Sequence, residues 1–162
     1  MDDWRGPAPE AEVLTELFIE VFRLRGALER RGNEMTRGLR QTCSRWQVLR
    51  AVHEQPCAIP QIARRLGLTR QAVQRLADLL VEAKLAMYGA NPAHLRSPQL
   101  RLTPRGEATV QQIHVLQTRW SQRMANGCLR RDLEITLRTL RQLIERLEKT
   151  PVVPLGRASQ AR

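Results

Sequence analysis

Catalytic and metal-binding signatures are missing from this chain. Its histidines, His53, His94 and His114, and its cysteines, Cys43, Cys57 and Cys128, form no C-x-x-C pair and show no metal-ligand spacing. Neither a zinc site nor a disulfide framework is therefore expected. No Gly-rich phosphate loop, H-E-x-x-H or G-x-S-x-G occurs, so the sequence offers no grounds for an enzyme and implies no cofactor. The cysteines are expected as buried or half-buried free thiols. A thiolate activated by Arg45 or Arg130 would instead make a redox sensor. No apolar run approaches the ~18 residues of a membrane span, and the opening MDDWRGPAPE is acidic and polar where a signal peptide is basic and then apolar. The expected location is the cytoplasm, at the nucleoid, with no membrane partner.

Acidic residues are scarce too. Sixteen Asp and Glu stand against 27 Lys and Arg, a net charge of +11 over 162 residues, which favours a polyanionic partner without separating DNA from RNA. The distribution is more telling. Between Cys57 and Gly106 eight cations (Arg64, Arg65, Arg70, Arg75, Lys84, Arg96, Arg101, Arg105) meet two anions, Asp78 and Glu82. A solvated Arg-rich surface is the plain alternative.

Apolar periodicity divides the chain into helices and one change of pattern. Val13, Leu14, Leu17, Phe18, Val21, Phe22, Leu24 and Leu28 recur at helical steps, predicting a long amphipathic helix over about 10–31 that stops at Gly32 and Asn33. Trp46, Val48, Leu49 and Val52 predict a second over about 44–54, closed by Pro56. From Leu85 to Leu102 two short runs flank a loop rich in Gly, Asn and Pro, the pattern of a β-hairpin with His94 and Arg96 near its tip. Thr103-Pro104-Arg105-Gly106-Glu107 then starts a helix of about 104–125, with Thr103 as N-cap and Glu107 serving the free amides of the first turn. In the last helix Leu133, Leu137, Leu140, Ile144 and Leu147 alternate steps of four and three. That heptad-like seam suits an interface between helices, or packing within its own chain.

The most informative segment is IPQIARRLGLTRQAVQRLADLLVEAKL, residues 59–85. Ile59, Ile62, Ala63 and Leu66 give one short helix, and Ala63 is small where two helices must approach. Gly67 allows a left-handed turn. Thr69 caps a second helix running to about Lys84, whose apolar set Val73, Leu76, Leu79 and Leu80 turns inward and leaves Arg70, Gln71, Gln74 and Arg75 outside. Two short helices with a polar, basic outer face form a helix-turn-helix, a device for reading DNA.

IARRLGLTRQAVQRLADLL, the hairpin ending in LRLTPRG and the flanking helices together resemble the MarR family of winged helix-turn-helix transcription regulators. The likeness spans about residues 10–149 and implies a single, mainly α domain. Its winged helix-turn-helix lobe would cover 44–103 with a small β-hairpin wing. Helices at 10–31 and 104–149 would form a dimerisation body, and 1–9 and 150–162 would be flexible tails. The resemblance further implies a homodimer on double-stranded DNA, a repressor of a promoter with a pseudo-palindromic operator, released by a small effector. A non-specific architectural or RNA-binding winged-helix protein is the alternative.

By chemistry, Arg70, Gln71 and Gln74 are the candidates for base edges, while Arg64, Thr69 and Arg75 would hold phosphates. The resemblance places Arg96 in the minor groove, with His94 where the family commonly has an aspartate that orients this arginine. A second departure is Lys84 followed directly by Leu85, where the family usually has a lysine and a glycine before the leucine. The segments that would line the family's ligand crevice supply Met35, Arg40, Trp46, His53, His114 and Trp120, each of which also suits a core or surface role. Val13, Leu17, Leu133, Leu137, Leu140, Ile144 and Leu147 are the candidates for the dimer interface.

Overall fold

A computed structural model describes residues 8–91 and 97–151; the wing-tip residues His94 and Arg96 and most of both expected tails lie outside the described residues. In chain order it contains α1 (Pro9–Thr36), a 3-10 turn (Arg37–Leu39), α2 (Cys43–Glu54), β1 (Cys57–Ala58), α3 (Ile59–Leu66), α4 (Arg70–Glu82), β2 (Ala86–Gly89), β3 (Gln99–Leu102), α5 (Pro104–Ala125) and α6 (Arg130–Lys149). This is the expected mainly α, winged-helix architecture. The chain divides into two compact units, one up to Trp120 and one from Ser121 onward.

The first unit holds the core and the sheet. Val48, Leu49 and Val52 of α2, Ile62 and Ala63 of α3, Val73, Ala77 and Leu80 of α4, Leu100 of β3 and Val110 of α5 are buried together. Fully burying a side chain such as Leu49 or Ile62 contributes about 1.5–3 kcal/mol relative to leaving it in water. The α4 stripe differs from the expected one by one residue. Ala77 is buried where Leu79 was expected, and Leu79 is 40% exposed. Steps of four and three from Val73 reach Ala77 and Leu80, so Leu79 falls a full residue off the stripe.

Local chemistry sets the helix ends. Thr42 Oγ1 accepts from the Arg45 amide and Thr69 Oγ1 from the Ala72 amide, capping α2 and α4. Gly67 closes α3 in the left-handed region at φ 62°. α4 ends without such a glycine: Lys84 takes the left-handed position at φ 58°, and the Leu85 amide reaches back to the Leu80 carbonyl. A side chain bears the steric cost that glycine would avoid. α1 does not stop at Gly32 and Asn33 as expected but runs on to Thr36. Gly32 is buried against Cys43, and Asn33 Oδ1 accepts the Cys43 amide at 2.8 Å. Both residues are thus used to dock α1 on α2 while still helical.

The hairpin is joined by a strand the sequence did not suggest. β1 pairs antiparallel with β3 through Cys57 opposite Leu100, giving the order β1-β3-β2. Two residues are too few to show a period of two. Thr103 caps α5: its Oγ1 accepts the Gly106 amide and donates to the Lys84 carbonyl. Glu107 does not serve the first-turn amides as expected. Its Oε2 instead lies 2.7 Å from His53 Nδ1 at the end of α2. At Gly106 the start of α5 crosses the Leu85 carbonyl so closely that a Cβ would overlap its oxygen.

In the second unit Gly127 turns the chain at φ 84°, and α6 buries none of its residues. Leu133, Leu137, Ile144 and Leu147 are each about half exposed or more, while Leu140 is half-buried. On α1, Val13 and Phe22 are 66% and 71% exposed and Leu17 is half-buried. Cys43 and Cys57 are buried, and burial followed by the Glu29 charge pushes the Cys43 thiol above its ordinary value. Cys128 departs from expectation: it is exposed in the turn between α5 and α6.

Candidate nucleic-acid interface

Thr69 and Gly67 determine where α4 begins and how it leaves α3, and so decide which side chains face outward. Arg70, Gln71, Gln74 and Arg75 of α4 and Arg64 of α3 are all exposed. Among the described residues Arg64, Arg70 and Arg75 have no ion pair or hydrogen bond from their side chains, so their guanidinium groups remain available to an anion. Thr69 uses its oxygen to accept in the cap, which leaves the O–H to donate outward.

Arg65, next to Arg64 in sequence, is different. It donates to the Ala51 carbonyl and to Glu54, tying α3 to the end of α2. The Arg65 hydrogen bond, and then its charge, hold the Glu54 carboxyl below its ordinary value, and Glu54 raises Arg65 in return. One of two adjacent arginines is thus structural, and the pattern of charge alone did not say which.

An open groove of about 530 Å³ runs between the start of α3, α4 and the hairpin, lined by Ile59, Pro60, Arg70, Gln71, Gln74, Tyr88, Ser97 and Pro98. Arg70, Gln71 and Gln74, the three candidates for base contact, therefore meet on one wall, while Arg64, Thr69 and Arg75 lie outside the lining set. Two residues that the sequence did not single out hold Gln74: Tyr88, which lines the groove, and Asp78, outside the lining set on α4. Gln74 Nε2 donates to Asp78 Oδ1 at 2.8 Å and to Tyr88 Oη at 2.7 Å, and Tyr88 Oη donates to Asp78 Oδ1 at 2.9 Å. Burial, then the Asp78 contact, push the Tyr88 phenol up, so it remains a neutral donor. Asp78 sits one turn after Gln74 and could have been paired with it from spacing alone; Tyr88, on β2, could not.

The six candidate ligand residues are not gathered at this groove. Met35, Trp46 and Trp120 are half-buried, Arg40 and His114 are exposed, and His53 is engaged with Glu107. Among the described residues no cluster of three His, Cys, Asp or Glu side chains could hold a metal, and no helix is long and apolar enough to cross a membrane.

Comparison with known proteins places this geometry in context. A family model described as MarR family matches residues 38–97. An uncharacterized protein of Mycobacterium tuberculosis is 37% identical over 138 residues, covering 85% of this chain and 96% of its own, and an uncharacterized Mycobacterium bovis protein matches equally. Similar solved structures include a MarR/EmrR family transcriptional regulator from Acinetobacter (TM-score 0.77, 15% identity, 85% of this chain and 99% of that one). The transcriptional regulator BldR from Sulfolobus solfataricus follows at 0.75, with 18% identity over 86% and 99%. Staphylococcus aureus MarR in complex with salicylate and kanamycin has a TM-score of 0.70 at 18% identity over 88% and 97%. At such identities these likenesses speak to the fold.

Proposed function

The chain belongs to the MarR family of DNA-binding transcription regulators, and from that premise we propose that it is a homodimeric, sequence-specific repressor of a promoter with a pseudo-palindromic operator. The observation that carries this reading is the outer face of α4, where Arg70 and Gln71 line the groove beside the hairpin and, among the described residues, have no side-chain partners of their own. Two such helices enter successive major grooves on one side of the duplex, with half-site centres about one helical turn, roughly 34 Å, apart. Arg70, Gln71 and Gln74 contact base edges; Arg64, Thr69 and Arg75 hold phosphates; and the wing, through Arg96 and His94, reaches the minor groove.

Dimerisation sets the spacing. The exposed Val13 of α1 and Leu133, Leu137, Ile144 and Leu147 of α6, with the half-buried Leu17 and Leu140, are the surfaces through which two chains would join. Release by a small molecule needs an effector that prefers one spacing of the two reading heads. The similar S. aureus MarR structure is of a complex with salicylate and kanamycin. Met35, Arg40, Trp46, His53, His114 and Trp120 are the side chains to probe for such binding.

Two substitutions separate reading from holding. On an operator duplex, Arg70→Ala is expected to cost about 1–3 kcal/mol and to relax preference at one base position. Arg64→Ala should weaken operator and random duplex alike and flatten the salt dependence by about one unit of slope. Fluorescence anisotropy titrations on both duplexes across a salt series measure this. Unchanged preference for the operator in Arg70→Ala would contradict the base-reading role.

A further inference from the structure

The cluster of Gln74, Asp78 and Tyr88 bears on which base α4 reads. A carboxamide nitrogen carries two hydrogens. In Gln74 both are taken, one by Asp78 Oδ1 at 2.8 Å and one by Tyr88 Oη at 2.7 Å. Tyr88 gives its single hydrogen to Asp78 Oδ1, so its oxygen can only accept from Gln74. Turning the amide over would set Gln74 Oε1 against the Asp78 carboxylate, acceptor against acceptor. The Asp78 carboxylate therefore dictates the orientation, and among the described residues Oε1 has no partner.

A free glutamine recognises adenine with two bonds, donating to N7 and accepting from N6. Gln74 has no hydrogen left for N7. Resting on the operator-reading role proposed above, we propose that Tyr88 and Asp78 are positioning residues that make Gln74 an acceptor-only reader, selecting a base with an exocyclic amino group in the major groove. Adenine offers N6–H and cytosine N4–H, whereas guanine and thymine present only acceptors at the corresponding edge. Specificity at this position is then amino against keto rather than adenine alone. The wing strand that carries Tyr88 takes part in base selection without touching the base.

The test is selection of binding sites from random duplexes by the full chain, by Gln74→Ala and by the double variant Tyr88→Phe with Asp78→Ala. Phenylalanine keeps the packing of the half-buried ring, and Asp78 is exposed; circular dichroism checks that both variants fold. The wild-type chain is expected to select one position per half-site where adenine and cytosine occur with similar frequency. Gln74→Ala should erase that preference. The double variant, with Nε2 released, should convert it to adenine, cytosine falling by about tenfold. A wild-type position already restricted to adenine, a position indifferent to Gln74→Ala, or one unchanged in the double variant would overturn the assignment while leaving operator reading intact. Failure of the wild-type chain to select any motif would overturn operator reading, and this inference with it.

Discussion

Gly106→Ala is expected to destabilise the protein by about 3 kcal/mol or more, lowering the midpoint of thermal unfolding by roughly 6–12 °C. The reason lies at one crossing. A Cβ at this position would overlap the Leu85 carbonyl oxygen and press on its carbon, and backbone cannot swing aside as a flexible side chain does. That carbonyl also accepts the Thr103 amide at 3.0 Å, so moving it breaks the bond joining the end of the hairpin to the start of β2. Relief would require α5 to lift from the lobe, uncovering Val110. Gly38→Ala supplies the control, since nothing lies within 4 Å of a Cβ built there. Calorimetric scans of the two variants should differ widely, and equal midpoints would mean that the crossing is looser than described.

The second large effect is expected on α6. Leu137→Glu with Ile144→Glu should convert a dimer to a monomer and reduce affinity for a two-half-site operator by about 10²–10⁴-fold, because the second half-site loses its tethered reader. The residues suit this test because they are 49% and 56% exposed and no residue of α6 is fully buried. The substitutions therefore remove little that holds a single chain together. Sedimentation equilibrium gives the mass directly: one chain for the variant and two for the parent. An unchanged mass in the variant would remove α6 from the interface.

Much of the lobe is legible in the sequence because its boundaries are chemical. Thr69, Thr103 and Gly67 mark helix ends through groups that a neighbouring backbone needs, and each does so in the structure. Gly106 was visible as part of LRLTPRG, but its reason, the nearby Leu85 carbonyl, exists only after folding. What stayed hidden depends on contacts between elements. β1 is recognisable only by its pairing with β3, and Glu107 found His53 on another helix instead of its own first turn. α1 ran past Gly32 and Asn33 because tertiary packing on Cys43 outweighs the local stop signal. Arg64 and Arg65 look alike in sequence and separate only through the contacts of Arg65 with Ala51 and Glu54. The same holds for base reading: Gln74 was evident on the outer face of α4, whereas the partners that constrain its amide sit on α4 and on β2.

Selection of binding sites from random double-stranded DNA by the intact chain at physiological salt tests the central claim most directly. Two inverted half-sites with centres about 10 base pairs apart are predicted. Uniform recovery of unrelated sequences, with affinity that follows salt but not sequence, would contradict it and favour an architectural or RNA-binding protein that uses the same basic surface.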